Sequence, residues 1–444
     1  MRTLSKNSRT RFSLLGACLF VLGGSACSWD RFSQLGENAP VVELGVPDEY
    51  AGSTGRALTY LQSGENTELY VAGTPGEGGG LVYSLGTSQK PDSNSTDRGH
   101  CPLRDGSDVC NAVAQPTGVI HQSGSKNESE LCFISGLAPS EGIFPSVSTL
   151  WSRCQSGLQV EIPIPVDLQS VLEGAAGSAK IRLDSARGDS SFILAAAEKE
   201  GRAWYYSSLG GTPTDILKPD LAGEDFGSQV SVGKGSAGHL FAVSALSKNQ
   251  VWVFRSETEN VQLLACLQGG NQWGRTLTWG DVDGDAWDDL VIADEKTVRA
   301  FSGAVLEGQS FNGKCEIPPG ALLSELQCTA HEDIEGCSVS KFGDSVTIGD
   351  INGNGKREII VGAPLLKVRG ESKAGALQIF DALSGNFIDS AFVSDLTAGA
   401  HFGASVQAVP QAGQDLLAVG APGQRKTYLL YCSGGAKDGL RCDF

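Results

Sequence analysis

The sequence has few of the residues and motifs on which catalytic sites are built. It contains one methionine and five histidines in 444 residues, and the histidines have neither a repeated nor a paired spacing. No Gly-x-Ser-x-Gly elbow, Walker loop or His-Glu-x-x-His motif occurs. The glycine-rich stretch 76–80 joins two predicted strands instead of opening a helix, which argues against a phosphate-binding loop. We therefore predict no catalytic residues and no enzymatic activity.

Positive charge is also scarce. The chain has 34 Lys and Arg residues against 51 Asp and Glu residues, a formal net charge of −17. An acidic surface repels phosphate backbones and anionic lipid headgroups, so nucleic acid is excluded as a predicted partner. The same charge balance favours solubility outside the cell and attracts cations.

Long apolar runs are almost absent. The run 12–22 follows four basic residues and is too short to span a bilayer. Small residues then lead to Cys27, which is the layout of an export signal. The segment resembles a bacterial lipobox, which implies a lipoprotein signal peptide over 1–26, a lipid on Cys27 that attaches the protein to the membrane, and a tether over 27–38. The alternative is ordinary cleavage near Ala26, which releases a soluble protein.

The cysteines point to disulfides. Twelve cysteines, less Cys18 and Cys27, leave ten, an even number in an exported chain. A zinc site is the alternative, but no Cys-x-x-Cys pair supports it. Their spacing suggests five local bridges, with the connectivity left open. The suggested pairs are Cys101–Cys110, Cys132–Cys154, Cys266–Cys315, Cys328–Cys337 and Cys432–Cys442.

What the sequence does contain is a repeat. Its 58 glycines and scarce helical periodicity indicate many short strands joined by tight turns. Four segments begin with an aromatic residue and Gly, continue into a β-rich run that ends in small residues, and add a third strand. A fourth strand fits between units, for instance at 158–166, 260–267 and 386–393. The four clear units begin at Phe226, Trp273, Phe342 and Phe402, and three weaker ones begin at Arg56, Thr117 and Ala179.

These paired FG and GAP signatures, with an acidic loop between them, resemble the FG-GAP repeats of integrin α subunits and their bacterial relatives. In the last four units, the motifs themselves support the resemblance. In the first three units, it is inferred from the spacing of the repeat. It implies an all-β fold, a seven-bladed β-propeller with four-stranded blades over residues 39–444.

The last unit lacks an outer strand of its own. Only 444 − 432 = 12 residues follow its third strand, whereas the strand-like run 39–48 precedes the first unit without partners. We therefore expect 39–48 to supply the outer strand of the last blade and to close the ring. The alternative is an unstructured spacer up to residue 50.

Two units insert an acidic loop between the FG strand and the GAP strand. Loop 281–289 reads DVDGDAWDD and loop 350–358 reads DINGNGKRE. Side-chain oxygens at positions 1, 3, 5 and 9, with the backbone carbonyl of position 7, form the oxygen cage that Ca²⁺ requires. Two Ca²⁺ sites are thus predicted. Their ligands are Asp281, Asp283, Asp285, Trp287 and Asp289 in the first loop, and Asp350, Asn352, Asn354, Lys356 and Glu358 in the second.

The spacing of the repeat supports these sites. The aromatic residue and the small residue of the second strand are 293 − 273 = 20 and 362 − 342 = 20 positions apart in the two loop-bearing units, against 18 in the fourth and seventh. The formal loop charges are −5 (five Asp) and 0 (Asp and Glu against Lys and Arg), so the first loop should bind more tightly. A solvated acidic hairpin without a metal is the alternative.

The favoured function is a binding or adhesion module of the cell envelope, at the outer membrane or cell surface. We expect a monomer that presents loops to a protein or glycan. Fold does not decide function, so a propeller-based extracellular hydrolase and a structural envelope lipoprotein are the alternatives. The tripeptide Arg187-Gly188-Asp189 matches a sequence that integrins recognise, but it is short enough to arise by chance.

Overall fold

The structure is a computed structural model that divides into two units, residues 1–38 and residues 39–444. All described residues belong to the second unit. They comprise residues 41–44, 55 and 191, and the strands between residues 57 and 197 whose bounds are given in the next paragraph. They also comprise residues 201–431, except 209, 258–259, 332 and 412, and the strands 433–435 and 439–441.

The described residues form an all-β fold, as the repeat predicts. One short α-helix, α1 (Gly303–Glu307), and two 3-10 turns, Leu246–Lys248 and Cys337–Val339, are the only helical elements in this part of the chain. None of the described helices has the length and apolarity needed to cross a membrane. The strands are β1 (Val41–Glu43), β2 (Ala57–Ser63), β3 (Asn66–Ala72), β4 (Gly80–Leu85), β5 (Val119–Ser123), β6 (Ser129–Ser135), β7 (Thr149–Cys154), β8 (Gln159–Pro163), β9 (Lys180–Ser185), β10 (Phe192–Ala197), β11 (Arg202–Tyr206), β12 (Thr214–Ile216), β13 (Val230–Lys234), β14 (His239–Ala245), β15 (Gln250–Glu257), β16 (Asn260–Gln268), β17 (Thr276–Gly280), β18 (Asp289–Ala293), β19 (Thr297–Phe301), β20 (Leu322–Gln327), β21 (Ile334–Glu335), β22 (Ser345–Gly349), β23 (Glu358–Ala363), β24 (Lys367–Val368), β25 (Ala376–Asp381), β26 (Phe387–Ala391), β27 (Ser405–Val409), β28 (Leu416–Ala421), β29 (Lys426–Leu430), β30 (Ser433–Gly435) and β31 (Gly439–Arg441).

These strands assemble into antiparallel sheets in which chain neighbours pair. Among the described residues, six sheets have four strands, one has three, and β21–β24 and β30–β31 are two-stranded ribbons. We number the main sheets by sequence unit: first β2–β4, second β5–β8, third β9–β12, fourth β13–β16, fifth β17–β20, sixth β22, β23, β25 and β26, and seventh β27–β29 with β1. The outer strands expected at 158–166, 260–267 and 386–393 are present as β8, β16 and β26.

The hydrophobic cores lie between consecutive sheets. The second strands β18, β23 and β28 are buried along their whole length, because a neighbouring sheet covers each face. One core cluster joins the fifth and sixth sheets, and another joins the sixth and seventh. This two-sided burial explains why these strands read as continuous apolar runs instead of alternating ones.

The FG and GAP signatures meet at the junctions between sheets. Gly343 has φ +86°, and a Cβ there would lie 2.8 Å from Ala293 Cβ, the small residue that ends a second strand in the preceding sheet. Only glycine combines that backbone conformation with that close approach. A hydroxyl two residues after the motif glycine then donates across the junction: Thr276 Oγ1 to Gly343 O at 2.7 Å, and Ser345 Oγ to Gly403 O at 2.8 Å.

The same contact joins the seventh sheet to the first. Ser405 Oγ donates to Gly55 O at 2.9 Å, and Gly55 has φ +84° with its would-be Cβ 2.8 Å from Gly420 Cα. Strand β27 packs against β2, as β22 packs against β27 and β17 against β22. A junction that repeats those between consecutive sheets therefore brings the two ends of the described fold together.

Strand β1 is the outer strand of the seventh sheet, as the sequence predicts. It pairs antiparallel with β29, with Val41 opposite Leu430 and Glu43 opposite Tyr428. Leu44 N donates to Thr427 O at 2.9 Å, and the Leu44 side chain is buried in a cluster that also holds residues of the first sheet. Residues 41–44 thus have the position expected for the run 39–48.

Two of the five expected disulfides are present in the described residues. Cys266 is bonded to Cys315, and Cys328 to Cys337. The first attaches the connection between β19 and β20 to the fourth sheet, where Phe311 also packs edge-on against Trp252 with ring centroids 5.4 Å apart. Cys132 and Cys154 are register partners on β6 and β7, and their bridge stays a prediction. The pairs Cys101–Cys110 and Cys432–Cys442 lie outside the described residues.

Candidate metal centre

Loop 281–289 brings three predicted ligands together. It connects β17 to β18 at the end of the hairpin, and the carboxylate oxygens of Asp281, Asp283 and Asp285 lie within 4.8 Å of one another. It is the one such cluster of metal-ligating side chains among the described residues. The donors are all oxygens, and a hard divalent cation such as Ca²⁺ suits this set.

Backbone amides hold these side chains in place. Asp281 accepts hydrogen bonds from Gly284 N (2.6 Å) and Ala286 N (3.2 Å), and Asp283 accepts one from Asp285 N (3.1 Å). Ala286 has φ +73°, a conformation that costs a residue with a Cβ about 1 kcal/mol or more. The loop therefore keeps its carboxylates converged in spite of local backbone strain.

Asp289, the fourth predicted carboxylate, is fully buried below the loop. Its Oδ2 accepts from Val282 N (2.8 Å) and Asp283 N (3.3 Å), and its Oδ1 accepts from Gly303 N (2.8 Å) at the start of α1. The structure thus gives Asp289 a positioning role in addition to its predicted role as a ligand.

The charges of the first loop are not compensated within it. Burial raises the pKa of Asp289 to about 6, and the charge of Asp283 adds to this against the lowering effect of the backbone donors. The pKa of Asp283 is also raised, first by burial and then by the charges of Asp285 and Asp281, against a backbone hydrogen bond from Asp285 that lowers it. Neighbouring carboxylates disfavour one another's ionised form, and a cation placed between them stabilises that form.

Loop 350–358 repeats the same hydrogen-bond pattern with fewer carboxylates. Asp350 accepts from Asn354 N (3.1 Å) and Gly355 N (2.8 Å), as Asp281 does from two amides of its own loop. Glu358 is buried and accepts from Ile351 N at 3.1 Å. Its pKa is raised to about 7, chiefly by burial. In both loops, therefore, the amide of position 6 donates to the first Asp and the amide of position 2 donates to the buried carboxylate of position 9.

The third loop position separates the two sites. Asn352 Oδ1 accepts from Asn354 N (2.9 Å), and Asn352 Nδ2 donates to Glu358 Oε1 at 2.6 Å. In the first loop the corresponding residue is Asp283, which has a carboxylate oxygen where Asn352 has its amide NH₂. The second loop therefore supplies its own donor to the buried carboxylate, whereas the first loop has none at that place.

Each loop is tied to a hairpin of a neighbouring sheet. Asp288 Oδ2 accepts from Lys234 N at 2.8 Å, and Lys234 Nζ lies 5.9 Å from the ring centre of Trp287. In the second loop, Asp350 N donates to Asp415 Oδ2 at 2.9 Å, and Asp415 N donates to Asp350 O. The candidate centres are thus junctions between the fourth and fifth sheets and between the sixth and seventh.

The remaining predicted site residues are placed as follows. The amides of Trp287 and Lys356 donate to Asp285 Oδ1 (2.8 Å) and Asn354 Oδ1 (2.7 Å), and the role of their carbonyls as ligands stays a prediction. Cys27 and the tripeptide 187–189 lie outside the described residues. Sequence reasoning missed the contacts of Asp288 and Asp415, since neither occupies a ligand position.

Comparison with known proteins supports the repeat assignment. The model of the FG-GAP repeat family matches residues 342–380, which run from the aromatic residue of the sixth unit into its third strand, Ala376–Asp381. The chain therefore contains an FG-GAP repeat, and this repeat encloses the loop 350–358.

Two solved structures resemble the chain. They are crystal structures of BBS1N in complex with ARL6DN, one soaked with lead and one with mercury. The first has 10% sequence identity and a TM-score of 0.47, and the match covers 88% of this chain and 97% of that one. The second has 10% identity and a TM-score of 0.48, with 87% and 96% covered.

Proposed function

We propose that the protein is a Ca²⁺-binding, seven-bladed β-propeller that serves as an interaction module of the cell envelope. The convergence of the carboxylates of Asp281, Asp283 and Asp285 carries the proposal. These residues offer only oxygen donors, and Ca²⁺ binds six to eight oxygens. The ion would be held by the loop carboxylates and would neutralise them, stiffening the junction with Lys234.

The propeller arrangement is supported by the order of contacts between sheets. Strands β5 and β9, β9 and β13, and β13 and β17 pack together in sequence, and β2 packs against both β6 and β27. Each of the seven main sheets then has two neighbours, which is the condition for a closed ring. Strand β1 would close this ring by completing the seventh blade, so that the outer edge of β29 is not left open.

An export signal and a lipid on Cys27 would place the ring at the envelope, at the outer membrane or cell surface. The support is the sequence pattern of residues 1–27. Substitution of Cys27 by Ser should abolish labelling by a fatty-acid analogue and release the protein from membranes. Labelling that persists in C27S would contradict lipidation at this residue.

The interaction function is tested by capture from envelope extracts. The full chain is used as bait with millimolar Ca²⁺ or with chelator, beside the variant Asp283→Asn as a matched control. A protein or glycan partner should be retained in Ca²⁺ and lost in chelator, and D283N should retain less of it. Retention of no partner above a bait-free control would contradict an interaction module, whatever the outcome for the metal.

A further inference from the structure

The metal-free loop 350–358 contains an Asn-Gly pair whose surroundings favour a reaction other than metal binding. Residues 353–357 are exposed, and Asn354 is followed by Gly355. We propose that Asn354 is a site of spontaneous deamidation, at which the side-chain amide is lost and aspartate and isoaspartate are formed. The inference does not rest on the proposed function, but it concerns the loop without Ca²⁺, because Asp350 and Asn354 are also proposed ligands there.

The attacking atom in this reaction is the backbone nitrogen of Gly355, and a base lies against it. Gly355 N donates its hydrogen bond to Asp350 Oδ2 at 2.8 Å. Attack on the Asn354 side chain requires that this N–H lose its proton. A carboxylate held at hydrogen-bond distance from the proton it must accept meets the geometric condition for a general base.

The amide that is attacked is polarised by a second hydrogen bond. Lys356 N donates to Asn354 Oδ1 at 2.7 Å. Negative charge develops on this oxygen when the Gly355 nitrogen adds to Cγ, and a backbone N–H aimed at it stabilises that charge. No heavy atom lies within 4 Å of the position that a Cβ would take on Gly355, so no neighbouring group crowds the Gly355 Cα beside the attacking nitrogen.

The chemistry needs only water as co-reactant. The Gly355 nitrogen bonds to Asn354 Cγ as its proton passes to Asp350. The Cγ–Nδ2 bond then breaks, and the nitrogen leaves as ammonia with that proton, which gives a cyclic succinimide. Water adds to either ring carbonyl and opens the ring, so that asparagine and water yield aspartate or isoaspartate and ammonia, without change of oxidation state.

Two other Asn-Gly pairs in the described residues serve as internal controls. Asn312 Oδ1 accepts from Lys314 N at 3.0 Å, but Asn312 Nδ2 donates to Glu316. Asn352 Nδ2 is held by Glu358 at 2.6 Å. Among the described residues, no carboxylate accepts a hydrogen bond from Gly313 N or Gly353 N. Asn354 alone of the three therefore combines the oxyanion donor with a base on the attacking nitrogen.

The product would make the second loop more like the first. The position of Asn354 is held by Asp285 in loop 281–289, and conversion to aspartate changes the formal charge of loop 350–358 from 0 to −1. Isoaspartate would instead add a methylene to the backbone and disturb the turn. Deamidation is thus a modification that alters the charge and shape of one of the two acidic loops.

Peptide mapping by mass spectrometry tests this proposal. The full chain is incubated at neutral pH in ¹⁸O-labelled water with chelator, and the conversion of Asn354, Asn312 and Asn352 is followed over time. We expect Asn354 to convert about tenfold faster than Asn312 and Asn352, or more. This is a modest fraction of the roughly 10²–10⁴-fold rate enhancement that a positioned base contributes in enzymes. In denaturant the three rates should converge, because only the fold distinguishes them.

The variant Asp350→Asn keeps a hydrogen-bond acceptor but removes the base. It should slow the deamidation of Asn354 to the rate seen at Asn312. The variant Asn354→Asp provides the aspartate product as a chromatographic standard. The comparison within the unmodified chain does not depend on any variant folding. Equal rates at Asn354 and Asn312 in the folded chain, or an unchanged rate at Asn354 in a folded D350N protein, would overturn the proposal.

Discussion

Deletion of residues 39–48 is expected to destabilise the whole β fold and to lower its melting temperature by several degrees. The deletion removes β1, its pairing with β29 and the Leu44 side chain, which is 7% exposed. Burial of a leucine alone is worth about 1.5–3 kcal/mol. The ion pair of Glu43 with Lys426, 2.9 Å apart, is lost as well. The loss also leaves β29 as an open edge that can pair with other chains.

The matched control is a deletion of the same length in the tether, residues 28–37. These residues belong to the other unit of the chain, so this variant should melt like the wild type. The point variant Leu44→Ala should lie between the two, at a cost of about 2–5 kcal/mol for a well-packed site. A melting temperature unaffected by removal of 39–48 would show that the ring does not depend on this strand.

The effect of Asp283→Asn on the melting temperature is expected to be large and to change sign when Ca²⁺ is added. Since burial and the charges of Asp285 and Asp281 raise the pKa of Asp283, the ionised side chain destabilises the fold at neutral pH when no cation is present. Asp283→Asn should therefore melt above the wild type in chelator. In Ca²⁺ it should melt below the wild type, since a site filled at 100 times its dissociation constant contributes about 2.7 kcal/mol.

Asn352→Asp is the mirror-image control in the other loop. It replaces the amide that donates to Glu358 by a third carboxylate. The variant should lose stability in chelator and gain more from Ca²⁺ than the wild type does. If both variants shift the melting temperature equally with and without Ca²⁺, position 3 has no part in metal binding.

The fold was predictable where the sequence repeats itself. The aromatic-glycine pair that begins each clear unit and the small residues that end its second strand are visible in the sequence. They recur because each junction needs a glycine such as Gly343 against a small residue such as Ala293. The outer strands and the place of 41–44 followed from counting strands. The loop positions of Asp281, Asp283 and Asp285 were predictable because alternate residues of a tight loop face one centre.

The remaining features depend on contacts that are distant in sequence. Asp288 meets Lys234 across 54 positions, and Asp350 meets Asp415 across 65. No local pattern encodes these pairs, because they arise only when separate sheets are placed side by side. The hydrogen bond from Gly303 N to Asp289 Oδ1 lies within the fifth unit. It was also not predicted, because Asp289 was assigned from its loop position as a ligand alone.

Calorimetric titration of the wild-type chain with Ca²⁺, paired with melting curves in Ca²⁺ and in chelator, tests whether the two acidic loops are Ca²⁺ sites. We expect dissociation constants of about 10⁻⁴–10⁻³ M, the range common in extracellular modules. Loop 281–289 should give the tighter event, D283N should weaken this event, and chelator should lower the melting temperature. The absence of binding at millimolar Ca²⁺, together with identical melting curves in Ca²⁺ and in chelator, would contradict the two proposed Ca²⁺ sites.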